Sequence, residues 1–463
     1  MNYNMVKGSQ RYFGNLTFYK KALALALPVM AQLLIQNMVS LIDNFMVAGL
    51  GDIKMSGVNI AGQINFIFMV FINTLCVSAG IFMSQFNGAK DSKGMQQSFR
   101  FKIIVCSFFA ILYTLFCRFI PEKALSLMVH GNSAAPEIID ESVKYMEIIA
   151  WTWIPMVLSN AIASSLREIG RVKQPLLISV VATITNTFFN WVFIYGNLGS
   201  PRMEVKGAAI ATIIARVVEA IIFIIFLYKT KPPFFSRLRE IFKVKISLFI
   251  SILRKSGLIL VSEMIWVLSE TVTTALYNSR GGAEIVSGMS AGFALANLFY
   301  ICFSGIHTAT GVIMGGALGA GRLDEARVQK NWLLTGALFF GIFMGILGCC
   351  TIFLIPIVFG NLSSVAQVVT RGMVLVNAFY MPVWAYVNAQ FAVSRTGGDA
   401  MMGVVVDVFT NTLLVIPGMF ALTYLTPIGP VGMYAIIKIS DFVKICIAHF
   451  WLKKEKWVTN LTV

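Results

Sequence analysis

Charge is scarce in this sequence. Asp, Glu, Lys and Arg together make up 13% of the 463 residues, about half the share found in soluble domains. Only three histidines are present, and the seven cysteines are scattered without a CxxC or a Cys/His ligand spacing. That excludes a disulfide framework and a metal cluster. There is no G-x-x-x-x-G-K-[ST] loop, so ATP hydrolysis by this chain is not expected. Residues 311–321 (GVIMGGALGAG) are Gly-rich but follow no strand, and helix packing explains them better than phosphate binding. A membrane-embedded enzyme would need a clustered nucleophile or metal site, and none is visible. Nothing resembles a cleavable signal peptide, because about twenty polar residues precede the first apolar run. The reading is a protein that is not an enzyme and needs no cofactor.

What fills the chain instead is apolar. Hydrophobic residues make up 57% and mean hydropathy is +0.77. Apolar runs of about 20 residues recur from end to end, each long enough to cross the hydrocarbon core of a bilayer. Spans are predicted near residues 22–49, 56–86, 101–121, 143–166, 174–196, 207–229, 251–280, 284–314, 332–359, 372–395, 401–423 and 430–452. The expected fold is therefore an all-α polytopic membrane protein of about twelve transmembrane helices, with a tight turn at Gly49-Leu50-Gly51 between the first two.

The net charge of +16 raises the question of nucleic acid, but its distribution answers to membrane orientation. One set of loops holds Lys7, Arg11, Lys20, Lys21, Lys90, Lys93, Arg100, Lys102, Arg167, Arg171, Lys173, Arg322, Arg327, Lys330, Arg395 and the tail Lys453, Lys454 and Lys456. The same set includes the basic stretch from Lys229 to Lys255. The opposite set holds only Lys54, Arg118, Lys123, Arg202, Lys206, Arg280 and Arg371. Positive loops face the cytoplasm, which puts both termini inside, next to anionic lipid.

The basic stretch also divides the chain. The expected organisation is an N-terminal segment (1–21), a six-helix lobe (22–229), a cytoplasmic linker (230–250), a second six-helix lobe (251–452) and a tail (453–463). Pro232-Pro233 breaks the helix before the linker. Residues 241–253 look amphipathic and are expected to lie on the membrane surface. The halves repeat weakly: GLGDIKMSG (49–57) matches RGGAEIVSG (280–288), and Thr185-Asn186-Thr187 matches Thr410-Asn411-Thr412. Two six-span repeats of one orientation are related by a pseudo-two-fold along the membrane normal, as in many transporters with a substrate site between repeats.

Against this apolar background the polar residues inside spans stand out, because an acid at a helix centre costs roughly 2.5–3.5 kcal/mol on insertion scales. Asp43 lies six residues before Gly49, and Asn190 six before Gly196. Both are therefore about 9 Å below one surface. Asn186 shares the face of Asn190 one turn away. Asn65, Asn73, Thr187 and Tyr195 are candidate supporting groups. A carboxylate among amide oxygens suits a proton or a hard monovalent cation such as Na⁺. By the repeat offset the counterpart of Asp43 is Thr274, which cannot titrate, and the acids of the second half lie elsewhere. Glu263, Glu270 and Asp407 fall inside its spans, with Trp266 between the two glutamates. An acid beside an aromatic ring can hold an organic cation. Arg216 with Glu219, and Asp441 with Lys444, are i,i+3 pairs read as structural ion pairs. His449 is read as an interface residue. The 23 Met and 37 Phe suit a cavity that accepts varied ligands.

The motifs in order resemble the multidrug and toxic compound extrusion (MATE) family over nearly the whole chain. They are LIDNFMVAGLG around Asp43, SQFNGAKD (84–91), REIGRVKQP (167–175), NTFFNWVFIYG (186–196) and VKGAAIAT (205–212). SEMIWVLSE (262–270), GALGAGRLDEA (316–326), SRTGGDA (394–400) and EKWVTNLT (455–462) follow. The resemblance implies two six-helix bundles forming a V, alternating access, and export of cationic or aromatic compounds in exchange for H⁺ or Na⁺; the expectation for this chain is a bacterial inner-membrane antiporter acting as a monomer. The resemblance places the ion-coupling acids on Asp43 and Glu263; the reading of the residues themselves sets Asn186 and Asn190 beside the first and lines the substrate cavity with Asp407, Glu270 and Trp266. One branch of the family has an acid where this chain has Asn190, so a first-lobe site here rests on Asp43 alone for charge. The same superfamily contains flippases of lipid-linked oligosaccharides, the competing reading. That reading requires a cationic cavity.

Overall fold

The computed structural model describes residues 11–48, 52–128 and 135–462. Lys7 and the turn expected at Gly49-Leu50-Gly51 lie outside the described residues. Everything regular among the described residues is helical. The first half contains α1 (Leu16–Ala48), α2 (Asp52–Gly88), α3 (Ser92–Phe119) and the short α4 (Pro121–Met128). It continues with α5 (Ala135–Ile149), α6 (Trp153–Glu168), α7 (Lys173–Tyr195) and α8 (Glu204–Thr230). The second half contains α9 (Ile246–Asn278), α10 (Ala283–Gly319), α11 (Leu323–Cys350) and the one-turn α12 (Ile355–Val358). After these come α13 (Ser364–Thr396), α14 (Met401–Thr410), α15 (Ile416–Leu425), α16 (Pro430–Ile437) and α17 (Ser440–Lys453). Joined where only a tight turn separates them, these make twelve crossings. By length and composition alone, ten segments among the described residues are apolar enough to cross a membrane.

The repeat is visible in the helix lengths. α1 and α9 have 33 residues each, α2 and α10 have 37, and α3 and α11 have 28. Asp52 to Ala283 and Gly88 to Gly319 are both 231 residues apart, the offset expected from the motifs.

The chain groups into two compact units. The first comprises residues 31–83 and 91–256, and the second comprises residues up to 30, 84–90 and 257 onward. The dividing lines thus fall inside α1, α2 and α9. The start of α1 belongs to the second unit because Phe18 is buried edge-on against Trp332 of α11, with centroids 5.0 Å apart.

α3 shows how a helix here sorts its faces by the 3.6-residue period. On α3, Phe108, Ile111, Leu112, Leu115 and Phe119 are exposed while Val105, Cys106, Ala110, Thr114 and Cys117 are buried. An apolar stripe left outside is the face a bilayer covers. In the second unit Tyr277, Met373, Met419, Met433 and Tyr434 form the packed centre.

Three segments differ from the sequence expectation. Residues 241–253 do not form a separate surface helix. Backbone turns hold 241–244, and from Ile246 the chain runs unbroken into α9, since no proline stops it. The linker before it is tied down: Arg100 Nη1 donates to the Lys243 carbonyl at 2.6 Å, and Gln97 Oε1 accepts from the Lys245 amide at 2.8 Å. The crossing at 401–425 is interrupted by a π-turn, Asn411–Val415, just before Pro417 at the start of α15. The last crossing breaks at Lys438-Ile439, between α16 and α17.

The tail is packed rather than free. Trp457 is fully buried. Gln85 donates to the Thr396 and Thr459 carbonyls at 2.8 and 3.2 Å and accepts from the Leu461 amide at 2.7 Å. Thus the SQFNGAKD, SRTGGDA and EKWVTNLT motifs meet in one place. Glycines are needed there, because a Cβ on Gly397 would strike the Trp457 carbonyl and one on Gly319, in the GALGAGRLDEA motif, the Gln85 carbonyl.

Candidate functional site

The first unit places Asp43 of α1 beside α7. Asn190, fully buried, donates its amide hydrogen to the Asp43 carboxylate. The Asn186 amide satisfies its surroundings when its nitrogen faces the same acid: it then donates to Asp43 Oδ1 at 2.9 Å and accepts from Thr212 Oγ1 of α8 at 3.3 Å. That orientation is assigned from the hydrogen-bond network. Spacing explains the arrangement, because positions 186 and 190 are one turn apart and stack on one face. No salt bridge reaches Asp43 among the described residues. Arg216 of α8 is engaged by Glu219 at 2.9 Å instead. Asn190 Oδ1 is buried without a hydrogen-bond partner. The site is therefore a carboxylate held by neutral donors, with an unused acceptor next to it.

The supporting groups divide. Tyr195 donates to the Met46 carbonyl at 3.2 Å, close to Asp43 along α1. Asn65 accepts from Tyr113 and Trp153 at 3.0 and 3.2 Å, and Asn73 accepts from Asn160 at 2.7 Å. Both belong to a separate cluster on α2, α3 and α6. Thr212 was not foreseen. The available signal was its place at the end of the VKGAAIAT motif, one turn beyond Ala208, whose carbonyl it also bonds at 3.0 Å.

The second unit handles its acids differently. Glu263 meets Arg395 at 2.8 Å, and Glu270 meets Lys438 at 2.9 Å. Lys444 lies 3.5 Å from Asp441 and 3.7 Å from Asp407, so the expected Asp441–Lys444 pair is shared with a third group. Asp407, only 5% exposed, also accepts from Ser262, and Asp441 accepts from Trp384 Nε1 at 2.7 Å. Trp266 is exposed. His449 is exposed beside Phe450. Arg395 and Lys438 escaped the sequence reading. Arg395 was counted among the loops, yet α13 runs to Thr396. Lys438 is a lone base in the apolar run AIIKIS, which was signal enough.

Comparison with known proteins places the chain as a whole. The MatE family model matches residues 28–192 and 258–420, one stretch in each half. A "probable multidrug resistance protein NorM" of Thermotoga maritima is 23% identical over 73% of this chain and 70% of its own. A protein of the same name from Oceanobacillus iheyensis is 21% identical over 90% of this chain and 92% of its own. Among solved structures, a MATE protein crystallised with MaL6 superposes with a TM-score of 0.83 at 18% identity, covering 97% of this chain and 98% of that one. A Pyrococcus furiosus transporter of the MOP superfamily, described as having a binding pocket of reverse polarity, reaches 0.82 at 18% identity over the same shares. These likenesses establish the fold: twelve helices in two bundles.

Proposed function

The chain belongs to the MatE family, a multi-pass membrane protein with multidrug transporters as relatives, and from that premise we propose that it is a secondary active antiporter. It exports small organic cations or drugs across the bacterial inner membrane in exchange for H⁺ or Na⁺, by alternating access, with both termini cytoplasmic and no cofactor. The observation that carries the proposal is the Asp43 carboxylate, held by the Asn186 and Asn190 amides and bound by no base among the described residues. Loss of water favours the neutral form of an acid. A carboxylate among amides gains most from a proton or a small cation, and it releases that ion when its surroundings become wetter.

Glu263 is the second coupling acid in this reading. Its charge is already balanced by Arg395, so its coupling requires that pair to part. The flippase alternative needs surplus positive charge. In the second unit three bases (Arg395, Lys438, Lys444) face four acids (Glu263, Glu270, Asp407, Asp441) in the observed pairs, which argues against it. The test is transport of a fluorescent cation in proteoliposomes under a pH jump alone and a Na⁺ jump alone. Efflux that follows one gradient and disappears in Asp43→Asn supports the proposal. Indifference to both gradients, with transport of a lipid-linked sugar, would replace it with the flippase.

A further inference from the structure

The second unit contains an ammonium group that is paired with an acid and also faced by two aromatic rings. Lys438 lies at the joint between α16 and α17, where the helix is interrupted. Its Nζ is 2.9 Å from Glu270 Oε1. It also stands over two rings, 5.3 Å from the Tyr434 centroid and 5.9 Å from the Trp384 centroid. A carboxylate with two aromatic faces is the chemistry that recognises alkylammonium ions.

The two rings are held without help from the lysine. Tyr434 and Tyr300 both donate to Asn377 Oδ1 at 2.9 Å. Trp384 is anchored through Nε1 to Asp441 at 2.7 Å and packs edge-on against Tyr300 at 5.5 Å. Removing Lys438 would therefore leave the cage standing. The cage is reached through Glu270, whose side chain is 33% exposed, while Trp384 and Tyr434 are buried.

We propose that Glu270, Trp384 and Tyr434 form a binding site for an organic ammonium or phosphonium cation, and that Lys438 is its tethered occupant, displaced when the cation binds. This rests on the exporter reading, which supplies the cation, and it names where in the second unit the cation is held. The tether sets a threshold. A ligand takes the site only if its charge and apolar surface suit the cage better than the lysine does. The break in the helix at Lys438-Ile439 gives the lysine a mounting from which it can swing without unwinding α17.

The experiment is equilibrium binding of tetraphenylphosphonium to the purified full-length protein, read by quenching of Trp384 fluorescence. Lys438→Met removes the competitor and should tighten binding about tenfold or more. Glu270→Gln should weaken it by a similar factor, and Trp384→Phe should abolish the quench. Lys438→Gln retains a hydrogen bond to Glu270 without the charge, so it repeats the test in a variant that preserves the pairing. Lys438→Arg, still cationic, should bind as the wild type does. Unchanged or weaker binding in both neutral variants would overturn the proposal. So would loss of affinity for an anionic amphiphile in those variants, which would make Lys438 a phosphate ligand. Tight binding in Lys438→Met without gradient-driven transport by the wild type would sink the exporter reading and leave the site standing. Transport by the wild type with no change on neutralising Lys438 would do the reverse.

Discussion

The two units are built from equivalent helices, and both contain ion pairs, such as Arg216 with Glu219 in the first, yet they hold the candidate site acids differently. In the first, Asp43 is held by the neutral amides of Asn186 and Asn190. In the second, the counterpart position is Thr274, and every acid singled out has a base: Glu263 with Arg395, Glu270 with Lys438, and Asp407 and Asp441 with Lys444. The amide that repeats Asn186 is Asn411, on the π-turn, whose Nδ2 is buried without a partner. A fold can thus be duplicated while its charge is redistributed. Amides leave a carboxylate open to exchange an ion, whereas bases occupy it in advance. The first arrangement suits coupling. The second suits competition between an internal cation and an external one.

The sharpest way to break this comparison is Asp43→Asn. It should reduce gradient-driven efflux by about a hundredfold or more, since removing the exchangeable charge of the first unit removes its coupling, as measured by initial rates in proteoliposomes. Glu263→Gln should cost less, about tenfold, because its charge is balanced and the loss falls partly on an unpaired Arg395. Equal losses in the two variants would erase the distinction drawn between the units. Next in size is stability. Gly319→Ala or Gln85→Ala should lower the melting of the second unit, with Gln85→Ala costing about 2–3 kcal/mol for three buried hydrogen bonds left unmade. A fluorophore in each unit reads whether the first unit melts unchanged. The smallest effect is expected from Thr212→Val, which removes a partner of Asn186 but not the acid. About a twofold to fivefold loss of apparent ion affinity should appear, at an unchanged maximal rate.

Much of this was legible in the sequence because a membrane writes its constraints along the chain. Hydrocarbon thickness fixed the length of each apolar run, and the 231-residue offset reappears in the paired helix lengths. The stack of Asn186 and Asn190 follows from helical spacing, and so does the depth they share with Asp43. Partners on other helices were harder to see, because periodicity assigns a face and not a neighbour. The pairing of Arg395 with Glu263 and of Lys438 with Glu270 was hidden for that reason, and the meeting of Gln85 with Thr459 and Leu461 joins motifs more than 370 residues apart. The amphipathic pattern of 241–253 misled because the start of a long span and a surface helix show the same alternation of apolar and basic residues. The shared use of Lys444 depended on α14 and α17 packing together, which no single-helix argument contains.

The central claim is that Asp43 is the exchangeable charge of the first unit and that its ion drives export. The most direct test loads proteoliposomes with a fluorescent cation and imposes a pH jump or a Na⁺ jump on the wild type and on Asp43→Asn. The account predicts export driven by one of the two gradients in the wild type and by neither in the variant, with cation binding retained. Gradient-driven export that survives in Asp43→Asn would contradict it and move coupling to the ion-paired acids of the second unit.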